Sequence, residues 1–203
     1  EHPDHFNVSF FLNKKIKEII IKKKIEILFQ KTDDKRVFTF LKEQGFLITE
    51  LNSNQNIKIN KNVEIQIIKF GFYDSCLIVK IPNLKILNLN DCPMRDLNEI
   101  ESFKNKNGTF DVLLTQFSYA AWKGGIKNKN FREESALEKL KSIENQANIL
   151  KCKSVIPFAS FVYFSNELNF YMNDSINTPK TVINFFREKI FSTIILSPGE
   201  IQN

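Results

Sequence analysis

The chain has 203 residues, a net charge of +6, 42% hydrophobic and 26% charged residues. That composition provides a packed core and excludes wholesale disorder. No apolar run reaches the roughly 18 residues of a membrane span, and no apolar leader follows Glu1. The first residue is not Met, so we expect a fragment or processed piece.

Cys76, Cys92 and Cys152 are odd in number and lack C-x-x-C spacing. This argues against a disulfide framework or a zinc knuckle, and the expected compartment is the reducing cytoplasm. The basic charge is mostly Lys; Arg occurs only at Arg36, Arg95, Arg132 and Arg187. Arg is the side chain that grips phosphates and bases bidentately, so its scarcity weighs against nucleic acid as a partner.

In chain order, Val8, Leu12, Ile16 and Ile20 make one helical stripe, with lysines as its solvated face. A strand follows at Ile25 to Phe29. Asp33 is a plausible cap for a helix that carries Val37, Phe40 and Leu41 and stops at Gly45. Phe46 to Leu51 reads as strand. The alternation of Ile57, Ile59, Val63, Ile65 and Ile67 predicts a hairpin turning near Asn60-Lys61-Asn62. Two strands, Cys76 to Ile81 and Leu84 to Leu89, flank a Pro82-Asn83 turn. The stretch from Asp91 to Gly108 reads as irregular. A strand at Val112 to Phe117 leads into a loop from Ser118 to Asn130. Leu137, Leu140, Ile143, Ala147 and Leu150 mark the clearest helix. Ser154 to Phe158 reads as strand and Ala159 to Asn177 as a long loop. Thr178 and Pro179 open a last helix with Val182, Phe185 and Phe186 inward. Ile194 to Leu196 closes the chain as strand. Helices interleaved with strands indicate an α/β protein in one folding unit, residues 1–203.

Both histidines fall in the opening string EHPDHFN. His2, Asp4 and His5 put two imidazoles and a carboxylate within one turn, a donor set suited to zinc or iron. The plain alternative is two surface histidines near a chain end. Asp91 ends an apolar strand in KILNLNDCP, a position common for site residues and equally suited to a turn-forming Asp. Phe117, Phe158 and Phe161 read as core. Trp122, beside Gly124 and Gly125, reads as less of a core residue. Cys92 could lie near a metal, though a small buried hydrophobe is its simpler role.

The string HPDH resembles the tail of the H-x-H-x-D-H signature of the metallo-β-lactamase superfamily. The later strings YDSCLIVK, KILNLNDC, DVLLTQFSYAAW, QANILKCKSVIPFASF and LSPGE are similar to the metallo-β-lactamase-like part of CMP-N-acetylneuraminate hydroxylases. This resemblance covers most of residues 72 to 200 and the first seven. It implies an αββα sandwich lacking its N-terminal strands, with divalent metal, zinc or iron, held at one edge. In that pattern His2 serves a first metal, Asp4 and His5 a second, and Asp91 touches or bridges both; Asp4 also orients a reactive water. The resemblance implies a hydrolase- or hydroxylase-like activity on a small molecule, a sugar or nucleotide-sugar. Gln116, Ser118, Trp122, Ser160 and Tyr163, which follow strand ends, would wall the substrate. The sequence departs from the pattern in three places. The first His of the signature would precede Glu1, Phe70 to Tyr73 stand where another is usual, and no His follows His5. A catalytically degenerate sugar-binding or scaffold domain is therefore the alternative, and a nuclease of the same superfamily a third reading.

Overall fold

The computed structural model describes residues 6–72, 74–197 and 199–201. The chain divides into two compact units, Glu1–Leu77 and Ile78–Asn203.

In the first unit, the stripe expected as one helix is two: α1, Val8–Leu12, and α2, Lys14–Lys22. Asn13 makes the break. Its backbone turns extended, with ψ 117°, and its side chain accepts a hydrogen bond from the Ile16 N–H at 3.2 Å. A short polar side chain that satisfies a free helix-end donor starts a new helix more readily than it continues an old one. Neither helix has a buried residue; Ile16 and Ile20 of the stripe are half-buried, and the ring of Phe11 beside it lies 5.6 Å from that of Phe46.

Strand β1, Glu26–Gln30, and strand β2, Leu47–Leu51, pair in parallel, with Ile27 opposite Ile48. A parallel pair needs a crossover, here helix α3, Arg36–Glu43. The expected Asp33 cap is displaced. Lys35 holds the N-cap position without a side-chain bond, and the Asp34 carboxylate accepts from the Arg36 N–H at 3.0 Å. Gly45 stops the helix at φ +82°, and Leu41, Phe46 and Leu51 are buried. The hairpin forms as expected from β3, Asn56–Asn60, and β4, Val63–Phe70, antiparallel with Ile57 opposite Ile65.

Strand β5, Asp74–Ile81, contains the division between the units and turns through Asn83, at φ +65°, into β6, Leu84–Asn90. Strands β7, Val112–Thr115, β8, Ser154–Pro157, and β9, Ser192–Thr193, follow β6 in parallel. Within the second unit the hydrogen-bonded order from β6 to β9 is sequential. The last strand lies at Ser192–Thr193, not at Ile194–Leu196. Its partners are Ser154 and Val155, and only two residues reach the edge of β8.

Each parallel connection contains a helix: α4, Leu97–Asn107, α5, Lys129–Leu150, and α6, Pro179–Phe186. Helix α4 overturns the irregular reading of 91–108. Its apolar stripe is short, with Ile100 and Phe103 buried, but its ends are well marked. The Asp96 side chain accepts from the Glu99 N–H at 3.0 Å, and Gly108 ends the helix at φ +77°. The loop expected at 159–177 contains a short 3-10 helix, Phe170–Asp174. Ile78, Leu87, Leu113, Ile143, Leu150, Val155 and Val182 form the buried centre of this unit.

Buried polar groups tie the layers together. Gln146 of α5 donates to the Met94 carbonyl at 2.6 Å and faces the Thr115 hydroxyl of β7 at 3.4 Å. The Arg132 side chain is fully buried. It forms a fork with Asp174 at 2.8 and 2.6 Å, donates to the Gly125 carbonyl at 2.7 Å, and lies 4.9 Å from the centre of the Tyr171 ring. The guanidinium holds the Asp174 carboxyl down to about 2. Its contribution to stability is therefore complete above the ordinary carboxylate range and is lost as pH falls toward 2.

Asp174→Asn is expected to cost about 3 kcal/mol in urea unfolding at pH 7, because it strands a buried guanidinium. The deficit should shrink below pH 3; a cost independent of pH would show that the pair is not the cause. Asp96→Ala should cost about 1 kcal/mol through loss of the α4 cap, with an unchanged denaturant slope.

Candidate functional site

The C-terminal ends of β6, β7 and β8 lie side by side and are the natural ligand edge of a parallel sheet. Two of these ends are strained. Asn90, the last residue of β6 and paired with Thr115, has φ +52°, and Ala159, beyond β8, has φ +55°. Left-handed backbone at a residue other than glycine costs free energy and gathers at functional positions.

Asp91 follows the strained Asn90, whose side-chain amide donates to the Asp91 carboxylate at 3.0 Å. Gln116, directly after β7, donates to the Asp91 carbonyl at 3.1 Å. The Gln116 side-chain oxygen, Oε1, accepts from Lys139 Nζ of α5 at 2.8 Å. A chain of polar contacts thus runs from helix α5 across the end of β7 to Asp91. Burial pushes the Lys139 ammonium down to about 8, assisted by Arg95 and Lys123 and opposed by Glu138 and Asp91. The sequence reading missed Lys139. The signal was its place between the buried Ala136, Leu140 and Ile143, on the border of the helix's apolar face.

The expected substrate wall divides. Ser118 is fully buried, and its hydroxyl accepts from the Asn177 N–H at 3.0 Å, so it braces two loops instead of lining an open surface. Ser160 is also buried, and its Oγ has no hydrogen-bond partner among the described residues. Trp122 is 69% exposed and Tyr163 66% exposed; the Tyr163 ring sits 5.9 Å from that of Phe170. The loop beside Trp122 is set by Arg132 and by the Tyr171 hydroxyl, which donates to the Gly124 carbonyl at 2.9 Å. Gly124 has φ +79°, and a Cβ there would meet the Asn128 side chain at 2.6 Å, so no other residue fits.

Phe117 is buried as expected. Phe161 is 59% exposed and so is not core, although its ring packs 5.1 Å from that of Phe117. Cys92 is buried, consistent with a small hydrophobe. His2, Asp4 and His5 lie outside the described residues. Among the described residues no group of three His, Cys, Asp or Glu side chains could hold a metal ion. Asp91 is the one expected ligand that falls among them, so the described residues alone do not make up a metal's donor set.

No protein-family model and no curated protein matches the chain. Solved structures do. CmlA, a diiron β-hydroxylase from Streptomyces venezuelae, superposes with a TM-score of 0.56 at 10% identity, covering 83% of this chain and 38% of that one. A mutant of the CmlA β-hydroxylase gives 0.59, also at 10% identity, covering 85% of this chain and 38% of that one. The metallo-β-lactamase fold protein YhfI from Bacillus subtilis gives 0.55 at 11% identity, covering 97% of this chain and 73% of that one. The fold is the metallo-β-lactamase fold. At such identities the likeness establishes architecture alone, and the chain spans under half the length of CmlA. Among the described residues no helix is long and apolar enough to cross a membrane.

Lys139 is expected to titrate near pH 8 in the folded protein, measured by the Cε shift in carbon-labelled lysine and assigned with Lys139→Met. Its lowered pKa means that the folded state binds fewer protons than the unfolded one between about pH 8 and the ordinary lysine value. Wild-type stability relative to Lys139→Met should therefore rise as pH rises from 8 to 10. A flat difference would count against burial as the cause.

Proposed function

We propose that the chain is part of a metal-dependent, hydrolase- or hydroxylase-like protein of the metallo-β-lactamase superfamily. The observation that supports this reading best is Asp91 at the ligand edge of a metallo-β-lactamase fold, its carboxylate held by the Asn90 amide and its backbone carbonyl by the Gln116 amide. In this reading His2, Asp4 and His5 join Asp91 around zinc or iron, which would supply an activated oxygen ligand at neutral pH. The chain's own part is to orient Asp91 through Asn90 and Gln116 and to present Lys139 beside it. Gln116, Trp122, Ser160 and Tyr163 are proposed to line the substrate. The similarity of the later sequence strings to CMP-N-acetylneuraminate hydroxylases makes a sugar or nucleotide-sugar the substrate class to test first. Exposed aromatic rings suit the apolar faces of such ligands.

The second reading is a catalytically degenerate, sugar-binding or scaffold domain of the same fold. It is favoured by the sequence, in which no His follows His5 and Phe70 to Tyr73 stand where another ligand is usual.

Metal analysis of the full-length protein, purified without added metal, separates the two. Near-stoichiometric zinc or iron that is lost in Asp91→Ala is the expected result. Absence of bound metal, with a melting temperature that chelator does not move, would leave the degenerate domain as the reading.

A further inference from the structure

We propose that Lys139 and Ser160 form an oxyanion-binding subsite at the C-terminal ends of β7 and β8, which takes a phosphate or carboxylate group of the ligand. The inference deepens the proposed function, because it names the ligand chemistry of the same edge, and it rests on that reading for its place in a reaction.

Four observations converge on this position. The Lys139 ammonium is half-buried on α5, and its hydrogen-bond partner among the described residues is the neutral amide oxygen of Gln116. An ammonium carries three donors, so Gln116 takes one and leaves two for a ligand. Arg95 and Lys123 add positive potential at this ammonium, against Glu138 and Asp91. Arg95 is itself paired with Glu138 at 3.3 Å, so the neutral partner is what counts: a half-buried cation bonded to an uncharged group gains from an incoming anion.

The third observation is Ser160, whose buried hydroxyl meets no partner among the described residues. A buried hydroxyl left unpaired costs free energy, and a functional contact is one reason a protein keeps it. Its place follows from the sheet. Gln116 directly follows the last residue of β7, the Phe158 N–H still bonds the Thr115 carbonyl at 3.0 Å, and Ser160 comes two residues later. The fourth is the left-handed Ala159, which redirects the chain immediately before Ser160. Backbone strain of this kind clusters at functional sites.

Phosphate and carboxylate share the oxygen chemistry that such a subsite reads, and separate probes distinguish them. The test is a titration of the full chain, with chelator present, by inorganic phosphate and by acetate. It is followed through the labelled Lys139 Cε signal and, in the Lys139 variants, through backbone amide shifts of residues 116–118 and 158–160. Binding of one or both anions should raise the Lys139 titration midpoint, and the tighter anion identifies the ligand group. Lys139→Met should weaken binding roughly tenfold or more, and Lys139→Arg should retain most of it. Ser160→Ala should weaken binding several-fold without lowering stability, since it removes an unpaired hydroxyl. Lys141→Met, an exposed lysine on the same helix, is the control for general charge. Equal losses from Lys141→Met and Lys139→Met, or unchanged binding in Lys139→Met, would overturn the subsite. Because the titration is made without metal, its failure is distinct from failure of the metal-centre reading, which the metal content of Asp91→Ala reports.

Discussion

The second unit depends on one buried charge. Arg132 leaves water completely, which is tolerable only because Asp174 meets it with both carboxylate oxygens while the Gly125 and Ile126 carbonyls and the Tyr171 face take up the rest of the guanidinium. The guanidinium and its partners come from three separate stretches: helix α5, the glycine loop after β7, and the 3-10 helix in the long segment after β8. Two of those stretches have little regular structure of their own. Without the guanidinium the glycine loop would lose two carbonyl contacts, and the 3-10 helix would lose the group that Asp174 accepts from. The same cluster includes Tyr119, fully buried, whose hydroxyl donates to the Met172 carbonyl at 2.6 Å. Asn177 completes the brace, with its side-chain amide on the Phe117 and Ala136 carbonyls. Loops locked in this way can hold exposed aromatic rings such as Trp122 and Tyr163 on a fixed base.

The ligand edge is built on the same logic of polar groups held by polar groups. Parallel strands end together, their helices cross behind them, and the residues after each strand are forced to turn. At β6 and β8 that turn falls on residues with a side chain, Asn90 and Ala159, in left-handed backbone. Gln116 directly follows the strand between them and links Asp91 to Lys139. The edge thus holds a carboxylate, an amide and an amine of lowered basicity in one connected set, a combination that core packing alone does not call for.

Much of the fold was legible in the sequence where periodicity was strong. The hairpin of β3 and β4, the strands β5 to β8 and the helix α5 follow from alternation or from a helical stripe, because burial of one face imposes the pattern directly. Helix α4 was hidden by its sparse stripe, two buried residues in eleven, although the Asp96 and Glu99 pair and Gly108 marked its ends. The break at Asn13 was equally local, a capping residue inside an apolar period. The displaced cap of α3 and the two-residue β9 answer to competition that the pattern does not show: an ion pair of Asp34 with Arg36, and the short reach of β8's free edge.

By itself the sequence determined the α/β class, most of the strands, and the carboxylate at the end of KILNLNDC as a residue of interest. These are local consequences of where apolar side chains must go. Only the tertiary structure decided that Ser118 is a brace, that Ser160 is a buried and unpaired hydroxyl, and that Lys139 meets Gln116 from 23 positions away. Each of those outcomes is set by which groups are deprived of water together, and a linear pattern carries no record of that.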